Sequence, residues 1–359
     1  MKIAILCHLD HPISSPFAGG LEVHTWHLAR SLIAKGHEVT TFASGDSDPC
    51  LNLYPATQQA LQLEASFPPQ RDAIKRTVYQ KLMQVIQRGG FDIIHNNSLN
   101  TLPLLAAHRL GIPMVSVLHT PPFAKLATAA AIAHQAPNAR FIAISRAVAS
   151  QWRAYVDSKV VYNGINVSRW AFSPTAVPKT AIWFGRFVPE KSPHEAVLAA
   201  RKAGFSIRLA GPVSDTDYFS QKIVPLLQDE QVQYLGHLTH AQLEKVVGQS
   251  AVFIKTPLWQ EPYGLVYAES LACGTPVATF DNGAGKEILT RDCGRVVSSR
   301  SVEALARAVR AAAQLSRQAC RQRAEQFCQL ATMINTYEEI YRQVAMCVQS
   351  ASAVHSMVA

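Results

Sequence analysis

The sequence predicts an α/β protein made of two Rossmann-like domains that face a cleft. Short apolar runs rich in Ile and Val alternate with longer stretches of helical period, as in parallel strands joined by crossover helices. The alternation occurs twice, before and after a polar stretch at residues 167–179 that contains Pro174 and Pro178. A length of 359 residues suits two domains, and a charged fraction of 16% is too low for a disordered chain.

The first half of the chain predicts six strands with helices between them, of which two have clear bounds. The N-terminal apolar run before His8 is shorter than the roughly 7 to 15 residues of a secretion signal, so it predicts a strand. The six strands are Lys2 to Cys7, Glu38 to Ala43, Asp92 to His95, Pro113 to His119, Arg140 to Ile144 and Lys159 to Tyr162. Gly20 to Lys35 is predicted to be helical, and Gly36 follows it at a position that favours a positive φ. Residues 70–88 form the other predicted helix.

The second half predicts a further series of strands and a helical tail. The strands are Ala181 to Phe184, Ser206 to Ala210, Val232 to Leu235, Val252 to Lys255, Pro276 to Phe280 and Arg295 to Val297. From Ser301 onward the period is helical over a length sufficient for three helices. The stretch at residues 167–179 has no period and is predicted to be an interdomain linker.

Composition narrows the classes of partner. Lys and Arg number 34 against 25 Asp and Glu, and this net charge of +9 favours phosphates, nucleic acid or a lipid surface without choosing among them. Seven scattered cysteines without a C-x-x-C pair predict reduced thiols in a cytoplasmic protein. No apolar run reaches the roughly 18 residues that a membrane span needs.

Two constellations at strand ends favour a phosphate ligand. Gly19 and Gly20 open a helix, whose N–H groups attract an anion; the alternative is an ordinary strand-to-helix turn. After the strand that ends at Phe184, Arg186 and Lys191 suit a diphosphate; the alternative is a pair of solvated surface charges.

A pair of glutamates follows later in the second half. Glu261 is placed in a loop, Gly264 at a helix start, and Glu269 more than one turn along the helix that ends at Gly274. At this spacing the two carboxylates could face one cleft. A lone Glu at such a place would instead complement the helix macrodipole.

The segment from Trp259 to Val277 resembles the E-x7-E motif of the retaining glycosyltransferases of family 4, which have the GT-B fold. Other features in that family's order are the Gly19-Gly20 loop, His119 at a strand end, Asn163-Gly164-Ile165-Asn166, Gly185-Arg186 with Lys191, and Gly274-Thr275-Pro276-Val277. Tyr337 to Tyr341 resembles the family's last helix, which crosses back onto the first domain. The resemblance covers essentially the whole chain. It implies an acceptor-side domain at residues 1–168 plus a helix at about 332–348, and a donor-binding domain at 169–331.

The resemblance implies transfer of a sugar from a nucleoside diphosphate sugar to an acceptor hydroxyl, with the anomeric configuration retained. The catalytic residues it implies are Arg186 and Lys191 at the departing diphosphate, Glu261 at the donor-sugar hydroxyls, and His119 beside the anomeric centre or the sugar's far hydroxyl. The donor and nucleotide contacts it implies are Gly19 and Gly20 over the phosphate and acceptor, Leu238 at the base, Tyr263, the N–H groups of Gly264, Leu265 and Val266 at the diphosphate, and Glu269 at the ribose. No metal ion and no other cofactor is implied.

The chain departs from the family pattern in two places. Thr120 and Pro121 follow His119 where the family often has Asp. Residues 282–287 replace a Gly-Gly-x-x-Glu loop that helps to shape the donor-sugar pocket, and Lys286 adds a cation to this loop.

Three short polar patterns are predicted to be structural. Asp46-Ser47-Asp48 and Asp215-Thr216-Asp217 lie in turn-rich contexts and are expected to be loops rather than metal motifs. His24-x-x-His27 lacks the further ligands of a zinc site.

Residues 70–88 concentrate basic charge on one predicted helix. Its cations are Arg71, Lys75, Arg76, Lys81 and Arg88, and its apolar steps are Ile74, Val78, Leu82 and Val85. One hypothesis is peripheral membrane contact, in which the helix docks on anionic lipid. The alternative is a helix that packs on its sheet and exposes its basic face to water.

The sequence therefore predicts a cytoplasmic, metal-independent, retaining hexosyltransferase that uses a nucleoside diphosphate sugar, with UDP favoured. The expected acceptor is a small molecule, a glycan or a lipid-linked compound, and no nucleic-acid partner is expected. One alternative is a sugar-nucleotide epimerase on the same fold, for which no clear acid and base pair is present. Another is a two-domain solute-binding protein, which gives no reason for Arg186, Lys191 and the paired glutamates.

Overall fold

The computed structural model describes residues 1–61 and 68–358, with side chains described at 1–61 and 70–347. The chain folds into two compact units, of which unit 1 comprises Met1–Tyr162 and Thr332–Ala359 and unit 2 comprises Asn163–Ala331. Each unit is a parallel sheet with helical crossovers, so the predicted α/β class and Rossmann-like architecture are confirmed.

Unit 1 contains a seven-stranded parallel sheet. Its elements in chain order are β1 (Lys2–Cys7), α1 (Gly20–Ala34), β2 (Glu38–Ser44), β3 (Leu53–Thr57), α2 (Pro68–Arg88), β4 (Ile93–Asn97), α3 (Thr101–Leu110), β5 (Met114–Leu118), α4 (Ala124–His134), β6 (Ala139–Ala143), α5 (Arg146–Trp152) and β7 (Ser158–Val160). The strand order is β3-β2-β1-β4-β5-β6-β7. This order reverses between β1 and β4, and ligands of such sheets bind at the carboxyl ends of the strands beside that reversal.

Unit 2 has a similar topology, with a six-stranded parallel sheet. Its elements are β8 (Val177–Phe184), α6 (Pro193–Ala203), β9 (Ser206–Ala210), α7 (Thr216–Tyr218), β10 (Val232–Tyr234), α8 (His240–Gln249), β11 (Ser250–Lys255), α9 (Leu265–Ala272), β12 (Val277–Phe280), α10 (Gly285–Ile288), β13 (Gly294–Val297), α11 (Val302–Ala312) and α12 (Arg317–Phe327). The order β10-β9-β8-β11-β12-β13 places the reversal between β8 and β11.

The last helix, α13 (Leu330–Val358), packs on unit 1, as the resemblance implied. Its buried side chains recur at steps of three and four residues: Met333, Ile334, Tyr337, Ile340, Tyr341 and Val344. On the same helix Glu338 pairs with Lys35 at 2.9 Å and with His37 at 2.8 Å, just after α1 ends. Buried apolar contact and a partly buried ion pair therefore both hold α13 on unit 1.

The predicted helix at residues 70–88 lies within α2, and its apolar stripe is buried against unit 1. The stripe is formed by Tyr79, Leu82, Met83 and Ile86. The Tyr79 hydroxyl donates a hydrogen bond of 2.8 Å to the Cys7 carbonyl at the end of β1. The outer face exposes Arg76, Lys81 and Arg88 to solvent. This arrangement matches the packed-helix alternative, because most of the apolar surface is used inside the unit.

Two expectations about local structure are wrong. The stretch predicted as a linker contains a 3₁₀ turn at Val167–Arg169 and the start of β8 at Val177. The first three residues of β8 are exposed, so they lack the apolar signal that identifies a buried strand. β3 was missed for a related reason, since it is a short edge strand that contains Pro55.

The segment at residues 163–165 is bound to the end of unit 2 through its backbone. Ile165 N donates to Cys328 O at 2.8 Å, and Leu330 N donates to Ile165 O at 2.9 Å. A Cβ atom at Gly164 would lie 2.6 Å from Gln329 O, so only glycine permits this approach. These contacts explain why unit 2 begins at Asn163.

Candidate functional site

The residues that the sequence singled out lie in two groups, one at the carboxyl edge of each sheet. In unit 2 most of them follow β8 and β11 and extend into α9, and Leu238 follows β10. In unit 1 they follow β1 and β5. Both groups therefore flank the point where the strand order reverses, as expected for ligand sites in this architecture.

A close backbone contact shapes the turn after β8. Gly185 has a φ of +153°, and a Cβ atom on Gly211 would lie 1.9 Å from Gly185 O. The turn carries Arg186, which is exposed, and continues into a 3₁₀ turn that ends at Lys191. The sequence thus places one exposed and one largely buried cation on the same short turn.

Lys191 belongs to a triad with Glu261 and Lys255. The Glu261 Oε2 atom accepts from Lys191 Nζ at 2.6 Å and from Lys255 Nζ at 2.7 Å. The Glu261 and Lys255 side chains are each 7% exposed. Lys255 stands at the end of β11, next to β8 in the sheet, so the strand order brings the two lysines to one carboxylate. The triad carries a net charge of about +1 when all three groups are ionised.

The triad keeps its carboxylate ionised. Burial would raise the pKa of Glu261, but the nearby Lys255 and Lys191 charges lower it to about 2. Burial, followed by the charge of Lys255 and a smaller effect of Arg186, lowers the pKa of Lys191 to about 8 against the charge and hydrogen bond of Glu261. The Lys191 ammonium also lies 4.9 Å from the centre of the Trp259 ring, a cation–π distance.

The loop at residues 282–287, where the chain departs from the family pattern, holds Glu261 by its backbone. Ala284 N donates to Glu261 O at 3.0 Å, and Glu261 and Gly283 form a parallel bridge. Gly283 has a φ of +85°, and a Cβ atom there would lie 2.2 Å from Glu261 O. Lys286, the additional cation of this loop, forms an ion pair with Asp281.

The start of α9 offers backbone donors beside the triad. Gly264 precedes the helix with a φ of +82°, and the first N–H groups of a helix, here those of Leu265 and Val266, have no acceptor within it. The Tyr263 ring, assigned to the donor site in the sequence, is 2% exposed, so it supports this loop from the interior. Leu238 is half-buried in the loop before α8.

Glu269 lies more than one turn into α9, partly exposed. Burial raises its pKa to about 7, against the opposing influence of Lys255. The two glutamates of the motif therefore differ in charge, because Glu261 touches two ammonium groups whereas Glu269 interacts with Lys255 at longer range. Lys255 is the residue that acts on both.

In unit 1 the Gly19-Gly20 turn lies above a buried ion pair. Gly19 immediately precedes α1, and a Cβ atom there would be 3.2 Å from Glu22 Oε2. Glu22 pairs with His8 at 2.9 Å, and both side chains are 6% exposed. Burial would raise the pKa of Glu22, but the hydrogen bond and charge of His8, together with a backbone hydrogen bond and the charge of His11, lower it.

His119, just after β5, belongs to a buried histidine network that we define as Tyr341, His95, Asn97 and His119. The Asn97 Oδ1 atom lies 2.8 Å from His119 Nε2 and 3.1 Å from His95 Nε2. The Tyr341 hydroxyl lies 2.7 Å from His95 Nδ1. Burial and the neighbouring histidines hold the pKa of His119 well below its usual range, and burial lowers the pKa of His95 to about 3. Both rings are neutral at physiological pH.

Sequence reasoning missed Lys255, His95 and Asn97. Each is a polar residue in a buried strand, and such residues rarely lie in the interior without a specific partner. The sequence ended the strand at His95 and so did not treat Asn97 as part of it. Polar residues at the carboxyl ends of central strands are the signal that could have identified all three.

Asp46-Ser47-Asp48 lies in a turn, as predicted, whereas Thr216 and Asp217 of the second pattern lie in α7, so the loop prediction is wrong there. Asp48 accepts from Cys50 N at 2.9 Å and from Trp26 Nε1 at 2.7 Å. Asp215 accepts from Tyr218 N at 2.8 Å and begins α7. Among the described residues, no group of three or more His, Cys, Asp or Glu is arranged to hold a metal ion.

Comparison with known proteins identifies two family models along the chain. Residues 18–169 match Glycosyltransferase Family 4, and residues 168–327 match Glycosyl transferases group 1. The two matches are consecutive and together span most of both units.

Curated relatives and solved structures are similar over most of their length. Glycogen synthase of Mycobacterium tuberculosis is 25% identical, with 85% of this chain and 86% of that protein covered. Phosphatidyl-myo-inositol mannosyltransferase of Mycolicibacterium smegmatis is 25% identical, with 86% and 84% covered. The crystal structure of Anabaena HepE in complex with UDP-glucose has a TM-score of 0.73 at 19% identity and covers 98% and 100% of the two chains. Sucrose-phosphate synthase from Thermosynechococcus elongatus has a TM-score of 0.77 at 18% identity, with 96% and 98% covered.

These matches agree with the two parallel sheets and with the position of α13. The chain belongs to glycosyltransferase family 4: it is a GT-B glycosyltransferase that takes its sugar from a nucleotide-sugar donor.

Proposed function

We propose that this protein transfers a hexose from a UDP-sugar to an acceptor hydroxyl with retention of the anomeric configuration. The observation that carries the proposal is the convergence of Lys191 and Lys255 on Glu261, beside the exposed Arg186. Three cations against one ionised carboxylate leave about two positive charges, which match the roughly two negative charges on the diphosphate of a nucleotide sugar. The structure of HepE with UDP-glucose supports UDP as the nucleotide.

Each site residue has a role under this proposal. Arg186 and Lys191 stabilise the leaving diphosphate, on which negative charge grows in the transition state, and so they act in catalysis as well as in binding. The α9 N–H groups add dipoles directed at the same anion. Glu269 accepts from the ribose hydroxyls, and Glu261 presents its remaining oxygen to a sugar hydroxyl. No metal ion is needed, because the cationic side chains of the protein neutralise the negative charge of the leaving diphosphate.

The unit 1 residues complete the proposed assignment. The ring of His119 contacts a sugar hydroxyl, and the turn at Gly19 and Gly20 allows a phosphate or the acceptor to approach the backbone. Leu238 contacts the base.

A thermal-shift series with UDP, GDP, ADP and their sugars tests the nucleotide. A bound ligand stabilises the fold by mass action, and UDP should raise the melting temperature most. Turnover of the preferred donor, with the product anomer assigned by NMR, then tests retention. Arg186→Ala should lower turnover more than donor affinity, whereas Arg201→Ala, at an exposed ion pair with Asp229 in the same unit, should change neither. An inverted product, or no response to any nucleotide, would refute the proposal.

A lipid-linked acceptor is a second element of the proposal. A relative is named phosphatidyl-myo-inositol mannosyltransferase, and α2 exposes Arg76, Lys81 and Arg88. In the described part of the chain no helix is long and apolar enough to cross a bilayer. We therefore expect reversible electrostatic docking of α2 on anionic lipid.

Liposome flotation tests this docking. The protein should float with vesicles containing phosphatidylserine at low salt but not with neutral vesicles. The triple substitution of Arg76, Lys81 and Arg88 by Gln should abolish flotation without lowering the melting temperature, because these side chains are exposed. Equal flotation of wild type and variant would show that α2 is not the docking surface.

A further inference from the structure

We propose that Asn97, His95 and Tyr341 are positioning residues that fix His119 in a single tautomer, with Nε2 protonated and Nδ1 left as the acceptor. The inference concerns residues to which neither the sequence motif nor the proposed function assigns a role. Its consequence for turnover rests on the proposed function of His119, whereas the tautomer itself does not.

The sheet places the two inner members of the histidine network on one face. His95 and Asn97 are two residues apart on β4, and alternate residues of a strand point to the same side. β4 lies between β1 and β5, so Asn97 at its end is adjacent to His119, which follows β5. The side chains of His95, Asn97 and His119 are all almost fully buried, where a misplaced proton costs more than at the surface.

The amide of Asn97 sets the direction of the hydrogen bonds. Its Nδ2 donates to Thr25 Oγ1 on α1 at 3.1 Å, which turns Oδ1 toward the two imidazoles. A carbonyl oxygen can only accept, so both His95 Nε2 and His119 Nε2 must carry hydrogen. In a neutral imidazole the other nitrogen is then an acceptor, and this is Nδ1 in both rings.

Tyr341 completes the network from α13. His95 Nδ1 is the acceptor nitrogen, so the Tyr341 hydroxyl donates to it over 2.7 Å. This phenol oxygen lies 246 residues from His95 in the sequence. The donor and acceptor roles along Tyr341, His95 and Asn97 are consistent with one another, and reversal of any one of them would place two donors or two acceptors face to face.

The same helix offers a matched control. Tyr337 lies one turn before Tyr341, is fully buried, and packs its ring edge-on against His24 and His95. Within the described residues its hydroxyl has no hydrogen-bond partner. Tyr337→Phe therefore removes the same atom as Tyr341→Phe, from the same helix and a similar environment, without breaking the network.

The first measurement is the tautomer of His119 in the full-length protein. Long-range ¹H–¹⁵N spectra of histidine-labelled protein should show a protonated Nε2 and an unprotonated Nδ1, with the signals assigned by their loss in His119→Gln. Tyr341→Phe should introduce the other tautomer at His95 and a mixture at His119, and Tyr337→Phe should leave both spectra unchanged. Asn97→Asp keeps the accepting oxygen but adds charge, so it should preserve the tautomer and raise the pKa of His119.

Kinetics connect the tautomer to the reaction. Loss of one buried hydrogen bond should lower kcat in Tyr341→Phe by about five- to tenfold, with the donor KM changed less than about twofold. Tyr337→Phe should stay within about twofold of wild type in both constants. A wild-type His119 protonated at Nδ1, or equal losses in the two Phe variants, would overturn the inference. If the wild-type protein transfers no sugar, the proposed function is overturned. The NMR spectra would then still test whether the network fixes the tautomer of His119.

Discussion

At the scale of single residues, two ammonium groups share the Glu261 carboxylate, so each lysine influences the charge of the others in the triad. Lys255 is the more buried of the two, and its charge opposes the burial that raises the pKa of Glu269. It therefore links the two glutamates that the sequence motif identifies. A substitution of Lys255 should therefore change both the stability of unit 2 and its affinity for the nucleotide.

We expect Lys255→Met to destabilise unit 2 and weaken UDP binding. Removal of one partner from a buried ion pair costs about 3–5 kcal/mol, and because Lys191 remains beside Glu261, about 1–3 kcal/mol is expected here. UDP affinity should fall about tenfold as a positive charge is lost. Chemical denaturation and calorimetric titration measure the two effects.

Lys202→Met is the matched control for Lys255→Met, because Lys202 forms an exposed pair with Glu303 in the same unit. It should change neither quantity measurably. An unchanged UDP affinity in Lys255→Met would remove Lys255 from the donor site.

The raised pKa of Glu269 predicts opposite pH effects on stability and on binding. The folded state holds this proton more tightly than the unfolded chain, so stability should fall between the ordinary pKa of 4.5 and about 7 and then level off. Glu269→Gln should therefore stabilise the ligand-free protein at pH 8 by on the order of 1–3 kcal/mol and have little effect at pH 4.5. Denaturation midpoints at the two pH values measure this difference.

UDP binding should depend on pH through the same residue and Lys191. Affinity should rise as Glu269 ionises near pH 7 and fall as Lys191 loses its proton near pH 8. Calorimetric titrations between pH 5.5 and 9.5 should give a bell, and Glu269→Gln should flatten its acid limb. A variant that keeps the full acid limb would assign that limb to another group.

At the scale of elements, the loop before α10 determines where Glu261 sits. Gly283 combines a positive φ with a backbone contact that leaves no room for a side chain. Gly204, which ends α6 in the same unit, has a similar φ of +78°, but a Cβ atom there would meet nothing within 4 Å. Substitution of Gly204 would introduce backbone strain alone, whereas substitution of Gly283 would introduce backbone strain and a steric clash.

We expect Gly283→Ala to cost more than Gly204→Ala. A left-handed alanine costs roughly 1–2 kcal/mol at either position, and at Gly283 the clash with Glu261 O adds displacement of the triad. UDP affinity should drop only in Gly283→Ala, which the same calorimetric titration would detect. Equal losses of stability and normal UDP binding in both variants would indicate that the loop adapts without moving Glu261.

At the scale of the whole molecule, the cysteines report on the two units separately. All seven are free; Cys50 and Cys347 are exposed and the other five are buried. Unit 1 buries Cys7, and unit 2 buries Cys273, Cys293, Cys320 and Cys328. Burial raises the pKa of Cys273 and Cys328 to about 12 and holds that of Cys320 well above its usual value, so these thiols react only after local unfolding.

Thiol labelling of the native protein should modify two cysteines rapidly and five slowly. If UDP binds unit 2, it should slow the labelling of that unit's four buried thiols more than that of Cys7. Mass spectrometry of pulse-alkylated peptides distinguishes the positions. Uniform protection of all five would mean that the units unfold together, and protection of Cys7 alone would place the nucleotide elsewhere.

The sequence by itself determined the alternation of strands and helices and the residues that close the strand ends. Apolar periodicity identified β1 and β9 to the residue and α1 to within one residue, because it depends only on neighbours in the chain. Glycines such as Gly36 were predicted for the same reason, since a positive φ is a local requirement. The segments that contain Arg186, Lys191, Glu261 and Glu269 carried the family resemblance, and that resemblance indicated the chemistry.

Only the tertiary structure decided which polar side chains meet. Lys191 reaches Glu261 across 70 residues, and Tyr341 reaches His95 across 246, because the strand order and the return of α13 bring them together. No local sequence pattern encodes such pairs. In the sequence, Lys255 and His95 each follow a short apolar run, in β11 and β4, and nothing nearby in the chain identifies their partners. These tertiary contacts then set the charges: the two lysines make Glu261 strongly acidic against the effect of burial, whereas burial and the neighbouring histidines keep His119 neutral.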